Sequence, residues 1–378
     1  MKKIFWVTLL VLLIPCKSLA TESIVKDQLE VLELSSFINE GEKYIEEVFP
    51  EINVEDLITK SISGDVNNSI LYKSILKVLG KEIVTGITSI GYILAIVVIH
   101  SILKSMGENL GNDSVSKIAY FIEYILIVTI ILNSFVGIVT NITETITNLV
   151  AFMNSLVPIL MSLIIATGQV ATSTAIQPIL ILIIVFIGNV INLIVLPVIT
   201  TTMILTIVSN ISEKIQIDNL SKFLKSSVTW FLVFTITIFA GVLSLEGTLV
   251  SSVDGTVVKG IKLATSTFIP VLGKALGDSV DTVLGATSLI KNAIGFVGIV
   301  IIIGICVLPI IKLTILSIMY SLAGAISEPL ADKKIVNVIN QMAGIFKILL
   351  GIMFFMAVLL IIGVALTLKI SNISLMYR

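Results

Sequence analysis

Four charged residues stand in an apolar part of the chain, where charge is costly. Three of them, Lys274, Asp278 and Asp281, lie in the segment FIPVLGKALGDSVDTVLGATSLIKNAIG (268–295), and Lys312 follows it. Lys274 and Asp278 are four residues apart, so they can pair along a helix. A charge inside a bilayer costs about 2.5–3.5 kcal/mol on insertion scales and usually faces a cavity or a partner. We therefore expect these four residues to line a polar pathway or to hold a contact within a helix bundle.

Two further polar residues join this candidate site. Gln169 stands at the position that corresponds to Asp281 in an earlier, similar segment, and Glu246 lies at the outer end of a predicted span, as a partner for Lys274. An alternative is that residues 258–290 form an external amphipathic loop whose charges are hydrated. The residues alone leave both interpretations open.

No catalytic motif accompanies these charges. The sequence has no G-x-x-x-x-G-K-[ST] phosphate loop and no H-E-x-x-H, and a single histidine, His100, leaves no ordinary Ser/His/Asp triad. Intramembrane proteolysis would need aspartates from two spans, whereas Asp278 and Asp281 share one segment. We expect neither an enzyme nor a metal or cofactor site. His100 is predicted to be solvated near the membrane interface, and Glu123, between Tyr120 and Tyr124, to belong to an interfacial belt.

The composition sets the class of protein that must position these residues. Of 378 residues 56% are hydrophobic and 13% are charged, against roughly 25% charged in soluble domains. Several apolar runs reach the ~20 residues that a helix needs to cross a membrane. These features predict an all-α polytopic membrane protein. No basic and aromatic cluster suggests nucleic acid as a partner. The expected partner of the apolar surface is membrane lipid.

The N-terminal part is predicted to be exported. Residues 1–20 begin with Lys2 and Lys3, followed by an apolar core and small residues before position 21, the pattern of a cleavable signal peptide. Residues 21–83 follow as an exported acidic segment that ends in a basic amphipathic helix carrying Lys73, Lys77 and Lys81. That helix lies on the membrane surface or leads into the first span. Without the signal peptide, Cys306 is the one cysteine left.

About six spans are expected, with two ambiguous segments between them. The predicted spans are 84–103, 118–140, 177–209, 228–250, 293–320 and 344–367. Lysines in three short loops between spans favour the cytoplasm for those loops. If these loops are all cytoplasmic, the chain must cross the membrane an even number of times between one loop and the next. We therefore expect residues 146–168 and 258–290 to form re-entrant or interfacial helical hairpins.

An internal repeat supports this arrangement. Pro158 and Pro197 are 39 residues apart, as are Pro270 and Pro309, and an offset of 112 residues relates the two pairs. The predicted organisation is a first span and loop (84–117), a parallel pair of repeats (118–229 and 230–343), and a last span and tail (344–378).

Glycines and prolines are expected to break helices or to allow close packing in these segments. Gly168 would provide a flexible break in the first copy, and Gly273, Gly277 and Gly285 fall on one helical stripe in the second. Pro158, Pro197, Pro270 and Pro309 are the candidate helix breaks.

These motifs together resemble one known family. The exported acidic segment, residues 268–295, the LVP...ATG...ST...P segment, SLEG (244–247) and SEPLAD (327–332) are similar to stage III sporulation protein AE. The resemblance implies a polytopic protein of endospore-forming bacteria, made in the mother cell and placed in the membrane around the forespore. The implied partners are the other stage III A proteins, including a secretion-type ATPase and ring-forming proteins, and indirectly a channel partner on the forespore side.

Three functions follow as hypotheses. The first is a channel-like or permease-like subunit of the mother cell to forespore transport complex. The second is a stand-alone secondary transporter, which a parallel repeat and broken helices would suit. The third is a structural platform that docks ring proteins through residues 21–82. A pore or a carrier needs the charges of residues 268–295, whereas a platform does not.

Overall fold

The structure, a computed structural model, describes residues 34–64, 68–109, 113–211, 217, 219–239, 241 and 273–376. Within these ranges the chain is helical apart from short turns, and no strand occurs. Six of the helices described there are long and apolar enough to cross a membrane. The prediction of an all-α polytopic membrane protein is therefore confirmed. The predicted signal peptide (1–20), Glu246 and Pro270 lie outside the described residues.

Two short amphipathic helices come first, α1 (Ser35–Ile45) and α2 (Val54–Ser63). Asn53 caps α2, because its side-chain oxygen accepts a hydrogen bond from the Asp56 backbone N–H at 2.8 Å. Gly64 ends α2 in the left-handed conformation, with φ of 77°. The Asn53 amide also donates to Glu42 at 2.9 Å and ties the two helices together. Their apolar faces are buried on the helices described next.

Helix α3 (Asn68–Asn109) is continuous over 42 residues. Lys73, Lys77 and Lys81 lie in its first turns and are exposed. Of the two alternatives for this basic segment, the structure shows the lead-in: the same helix continues from the lysines through the predicted span at 84–103. At ~1.5 Å per residue, the helix is about 63 Å long.

A long helical hairpin follows. Helix α4 (Asp113–Ala166) has 54 residues and is therefore ~80 Å long. The chain turns at residues 167–169 and returns through α5 (Val170–Val190), a π-helical turn (Ile191–Val195) and α6 (Leu196–Ile211). The structure thus differs from the expectation of a span at 118–140 separated from a hairpin at 146–168, because both segments belong to the single helix α4.

The last three helices are α7 (Asn219–Phe239), α8 (Gly273–Ser327) and α9 (Lys333–Met376). Helices α8 and α9 form a second long hairpin, joined by residues 328–332. Residues 273–290, expected in a separate re-entrant segment, are continuous with the span predicted at 293–320. No finding tests the 112-residue repeat, which stays a prediction.

Helix α8 forms the centre of the bundle and packs against α1, α2, α3, α4 and α9. Small residues allow close approach at the crossings: a Cβ placed on Gly298 would lie 2.7 Å from Leu156 Cδ2, and one on Gly41 would lie 2.7 Å from Ile301 Cδ1. Tyr320 of α8 stacks edge-on against Phe346 of α9, with ring centroids 5.1 Å apart. Helix α1 is therefore docked into the bundle rather than held as a free arm.

Candidate functional site

The four charges predicted to line a pathway or to hold a bundle contact are carried by one helix. Lys274, Asp278, Asp281 and Lys312 all lie on α8. Asp281 and Lys312 are 31 residues apart on this continuous helix, which separates them by about 46 Å. The structure places the backbone of residues 273–282 in α8 and describes no side chain there. Of the four charges, only Lys312 can be placed in a described site.

Gln169 belongs to the turn between α4 and α5, far from Lys312. Its Nε2 donates to Thr167 Oγ1 at 3.2 Å, and its side chain is 1% exposed. Ser173 Oγ donates to the Met161 carbonyl at 3.2 Å across the same turn. Gly168 has φ of 83°, which a residue with a Cβ rarely adopts. In the structure these residues shape a turn.

The predicted helix breaks behave in different ways. Pro158 and Pro309 lie inside α4 and α8, which continue through them. Pro197 is the second residue after the π-helical turn, a local widening that suits the missing proline donor. Gly273 and Gly277 lie in the first turns of α8. At Gly285 an added Cβ would meet no described atom within 4 Å, so this glycine does not mark a close contact within the described fold.

Lys312 lines a cavity of about 470 Å³ between α1, α4 and α8. We call it the Lys43 cavity. Most of its lining side chains are polar or charged, which is unusual beside such apolar helices. The polar and charged lining residues are Lys43, Tyr44, Glu47, Asn141, Glu144, Thr145, Asn148 and Lys312. Burial, followed by the charge of Glu40, raises the pKa of Tyr44, which therefore contributes a neutral hydroxyl.

Two more cavities adjoin the first through shared lining residues. The Ser89 cavity, of about 290 Å³, lies between α3, α4 and α8 and shares Asn141 and Lys312 with the Lys43 cavity. The Lys77 cavity, of about 390 Å³, lies between the first turns of α3 and the turn after α1, and shares Glu47 with the Lys43 cavity and Glu82 with the Ser89 cavity. We call the three adjoining cavities, which lie side by side next to α8, the polar belt.

The exposed surface of α4 changes character at the level of this belt. From Ile118 to Val136 the exposed side chains are apolar, as lipid contact requires, apart from Thr129 and Asn133. From Thr140 to Asn154, all exposed side chains except that of Ala151 carry hydroxyl, carboxylate or amide groups: Thr140, Thr143, Glu144, Thr147 and Asn154. The apolar stretch covers about 30 Å of helix, which matches the hydrocarbon core of a bilayer. The polar belt therefore lies where the apolar exposed surface of α4 ends, whereas α5 and the π-helical turn beside it still expose Leu182, Phe186 and Leu193.

A second polar cluster lies at the opposite end of the lipid-facing surface. His100 Nδ1 is 2.9 Å from Glu123 Oε2, and His100 Nε2 is 3.7 Å from Asp332 Oδ2. His100 and Glu123 are each 2% exposed. The predicted solvation of His100 is therefore wrong, because its side chain is buried against Glu123. Along α3, Glu82 and His100 are 18 residues or about 27 Å apart, so the two polar levels bracket one bilayer thickness.

The buried contacts of His100 were missed because they join α3, α4 and the α8–α9 turn, and spacing along one chain does not show them. Lys291 was also missed. Its side chain in α8 is completely buried, and the signal available was a lone lysine inside the apolar run LIKNAIG.

The arrangement suits passage or binding of polar species better than bond-making chemistry. Lysine ammonium groups, carboxylates and amides offer hydrogen bonds and charge of both signs along the belt. In the part of the chain that the structure covers, no group of three or more His, Cys, Asp or Glu side chains could hold a metal ion.

Comparison with known proteins gives a consistent assignment. The family model for stage III sporulation protein AE matches residues 52–371, which is most of the chain. The chain is also 31% identical over 296 residues to the stage III sporulation protein AE of Bacillus subtilis (strain 168), covering 77% of this chain and 74% of that protein. No solved structure matches. This chain belongs to the stage III sporulation protein AE family.

Proposed function

We propose that this sporulation protein is a channel-like or permease-like subunit of the complex that joins the mother cell and the forespore. The observation that carries the proposal is the polar belt, in which Lys312 and Asn141 line two adjoining cavities inside an otherwise apolar bundle. Charge at such a place in a membrane protein typically marks the route of a polar solute. The belt would admit solute from the extracytoplasmic side of the bundle.

The length of the helices supports an arrangement in which the protein crosses one membrane and projects towards a second. Helices α4 and α8 are each ~80 Å long, whereas a hydrocarbon core is ~30 Å thick. With the bilayer placed along residues 118–136 of α4, both hairpins extend well beyond it. In this proposal the protein sits in the mother-cell membrane around the forespore, with the projecting part in the intermembrane space.

The proposed partners follow from the same placement. The projecting part would meet the ring-forming stage III A proteins and, through them, a forespore-side channel partner. A secretion-type ATPase would act at the opposite end, near His100 and the α8–α9 turn. Cleavage of residues 1–20 as a signal peptide would put α1 and α2 on the extracytoplasmic side, where they pack on the bundle.

The test is neutral replacement of the belt lysine in the sporulating host. We expect Lys312→Gln to reduce spore formation strongly while the protein level stays normal, and Lys312→Arg to retain much of it. Lys222→Gln, at an exposed position of α7, is the matched control and should have no effect. Normal sporulation with Lys312→Gln at normal protein level would contradict the proposal.

A platform that docks ring proteins is the second candidate, and one observation favours it. Helices α1 and α2 leave Glu46, Glu55 and Asp56 exposed on the outside of the bundle. Charge reversal at Glu46 and Glu55 tests this role without uncovering α8, as deletion of the segment would. Loss of complex assembly in that variant, with an inert Lys312→Gln, would favour the platform over the channel.

A stand-alone secondary transporter is a third candidate. It differs from the channel subunit in needing no partner. Transport by the purified chain in vesicles, without any other stage III A protein, would favour it.

A further inference from the structure

The Lys77 cavity carries opposite charges on its two sides. Lys73, Lys77 and Lys81 of α3 lie on one side at four-residue spacing, with a single carboxylate, Glu82, next to them. Glu47 and Glu51, from the turn after α1, lie on the other. Among these described residues no salt bridge joins the two sides. The cavity of about 390 Å³ between them can therefore take a ligand that has both a negative and a positive group.

The cavity opens at the edge of the lipid-facing surface. Below it on α3, Val84, Ile87 and Tyr92 are exposed, as expected in contact with acyl chains. Beside the lysines, Tyr72 and Leu76 are exposed on the neighbouring stripe of the same helix. A ligand that occupies the cavity thus has polar partners within it and apolar surface directly below.

We propose that this cavity binds the headgroup of a phospholipid that carries both a phosphate and a primary ammonium, namely phosphatidylethanolamine. The lysines donate hydrogen bonds to the phosphate, and the carboxylates of Glu47 and Glu51 accept from the ammonium. The acyl chains lie along the apolar surface of α3 from Val84 downwards. Phosphatidylglycerol satisfies the lysines but offers the carboxylates neutral glycerol hydroxyls instead of an ammonium, so the charge-assisted hydrogen bonds are lost. The quaternary ammonium of phosphatidylcholine cannot donate hydrogen bonds to them.

Native mass spectrometry of the full chain in detergent tests this proposal. Phosphatidylethanolamine, phosphatidylglycerol and phosphatidylcholine with identical acyl chains are added at equal concentration. We expect phosphatidylethanolamine to bind about threefold to fivefold more tightly than the other two, the effect of one partly exposed charge contact. Combined replacement Lys73→Gln and Lys77→Gln should remove this binding, whereas Lys222→Gln should not change it.

A second variant separates a headgroup site from general attraction of lipid to lysines. Glu51→Gln should remove the preference for phosphatidylethanolamine over phosphatidylglycerol while leaving phosphatidylglycerol binding intact or stronger. The proposal is overturned if phosphatidylglycerol binds as tightly as phosphatidylethanolamine to the unmodified chain, or if Glu51→Gln keeps the original preference. Displacement of the lipid by an equal concentration of soluble phosphoethanolamine would also overturn it, because the acyl chains would then contribute nothing.

Discussion

The Nδ1 atom of His100 lies 2.9 Å from the Glu123 carboxylate, and both side chains are almost completely buried. This contact joins α3 to α4, and Asp332, 3.7 Å from the other ring nitrogen, adds the turn between α8 and α9. Three separate parts of the chain therefore meet at one imidazole, at the end of the bundle opposite the polar belt.

Removal of one partner from this contact should destabilise the protein strongly. His100→Ala removes the imidazole that faces the buried Glu123 carboxylate, and breaking a buried pair typically costs about 3–5 kcal/mol. The measurement is the free energy of unfolding in mixed detergent micelles. Lys60→Ala breaks the exposed Lys60–Asp56 pair, whose side chains are 46% and 56% exposed, and is the control. It should cost less than about 1 kcal/mol.

Replacement of both His100 and Glu123 tests the same contact by asking whether stability returns when neither polar group is buried. The double variant His100→Leu with Glu123→Leu leaves neither charge buried and should recover most of the stability that His100→Ala loses. A His100→Ala protein as stable as the unmodified chain would contradict the contact.

Adding a side chain at Gly168 should lower the free energy of unfolding, whereas adding one at a glycine inside a helix should not. Its φ of 83° at the turn between α4 and α5 disfavours any Cβ, so Gly168→Ala should cost about 1 kcal/mol or more. Gly285→Ala is the matched control, because Gly285 lies in α8 with φ in the ordinary helical range and open space around it. It should stabilise by roughly 0.5–1 kcal/mol. Equal effects of the two changes on the free energy of unfolding would show that the turn is not built as described.

Gly41→Val should loosen α1 from the bundle. A Cβ at Gly41 would lie 2.7 Å from Ile301 Cδ1 and 3.4 Å from Val54 Cγ2, so a branched side chain cannot be seated without movement. We expect faster hydrogen exchange throughout residues 35–45 in this variant. Ser36→Val, at an exposed position of the same helix, should leave exchange unchanged. Unaltered exchange in Gly41→Val would mean that α1 is not docked on α8.

Hydropathy located the apolar parts of the spans but not the ends of the helices. Residues 140–146, TNITETI, look like a loop because they are polar, yet they contain no glycine or proline to end a helix. The structure carries α4 through them, with Thr140, Thr143 and Glu144 on its exposed face. Polarity therefore indicated where the lipid-facing surface stops, while the backbone continued.

Proline was a weaker guide than expected for a related reason. Pro158 removes one backbone hydrogen bond from α4, but the rows of buried side chains on both sides of it hold the helix together. By contrast, the chain does turn ten residues later at Gly168, where the backbone adopts a conformation that glycine favours. Packing between helices decides between these outcomes, and packing cannot be read from one sequence.

The candidate site was only partly predictable for the same reason. Lys312 was identified because a lone charge in an apolar helix is conspicuous. Its neighbours in the polar belt, such as Asn141, Glu144 and Glu47, come from other helices that approach only after folding. The grouping of Lys312 with Asp281 assumed a break between two segments, and the continuous helix α8 separates them instead.

The most direct measurement of the central claim is the access of water to the polar belt. After Cys306→Ala, single cysteines are placed at Asn141 and Glu144 in the belt, and at Leu132 and Ile125 on the lipid-facing surface of α4. A membrane-impermeant thiol reagent is then added to oriented vesicles that contain the full chain. The account predicts labelling at positions 141 and 144 and none at positions 132 and 125. Unreactive cysteines at 141 and 144 in the folded, inserted protein would contradict a water-accessible belt, and with it the proposed passage of polar solute.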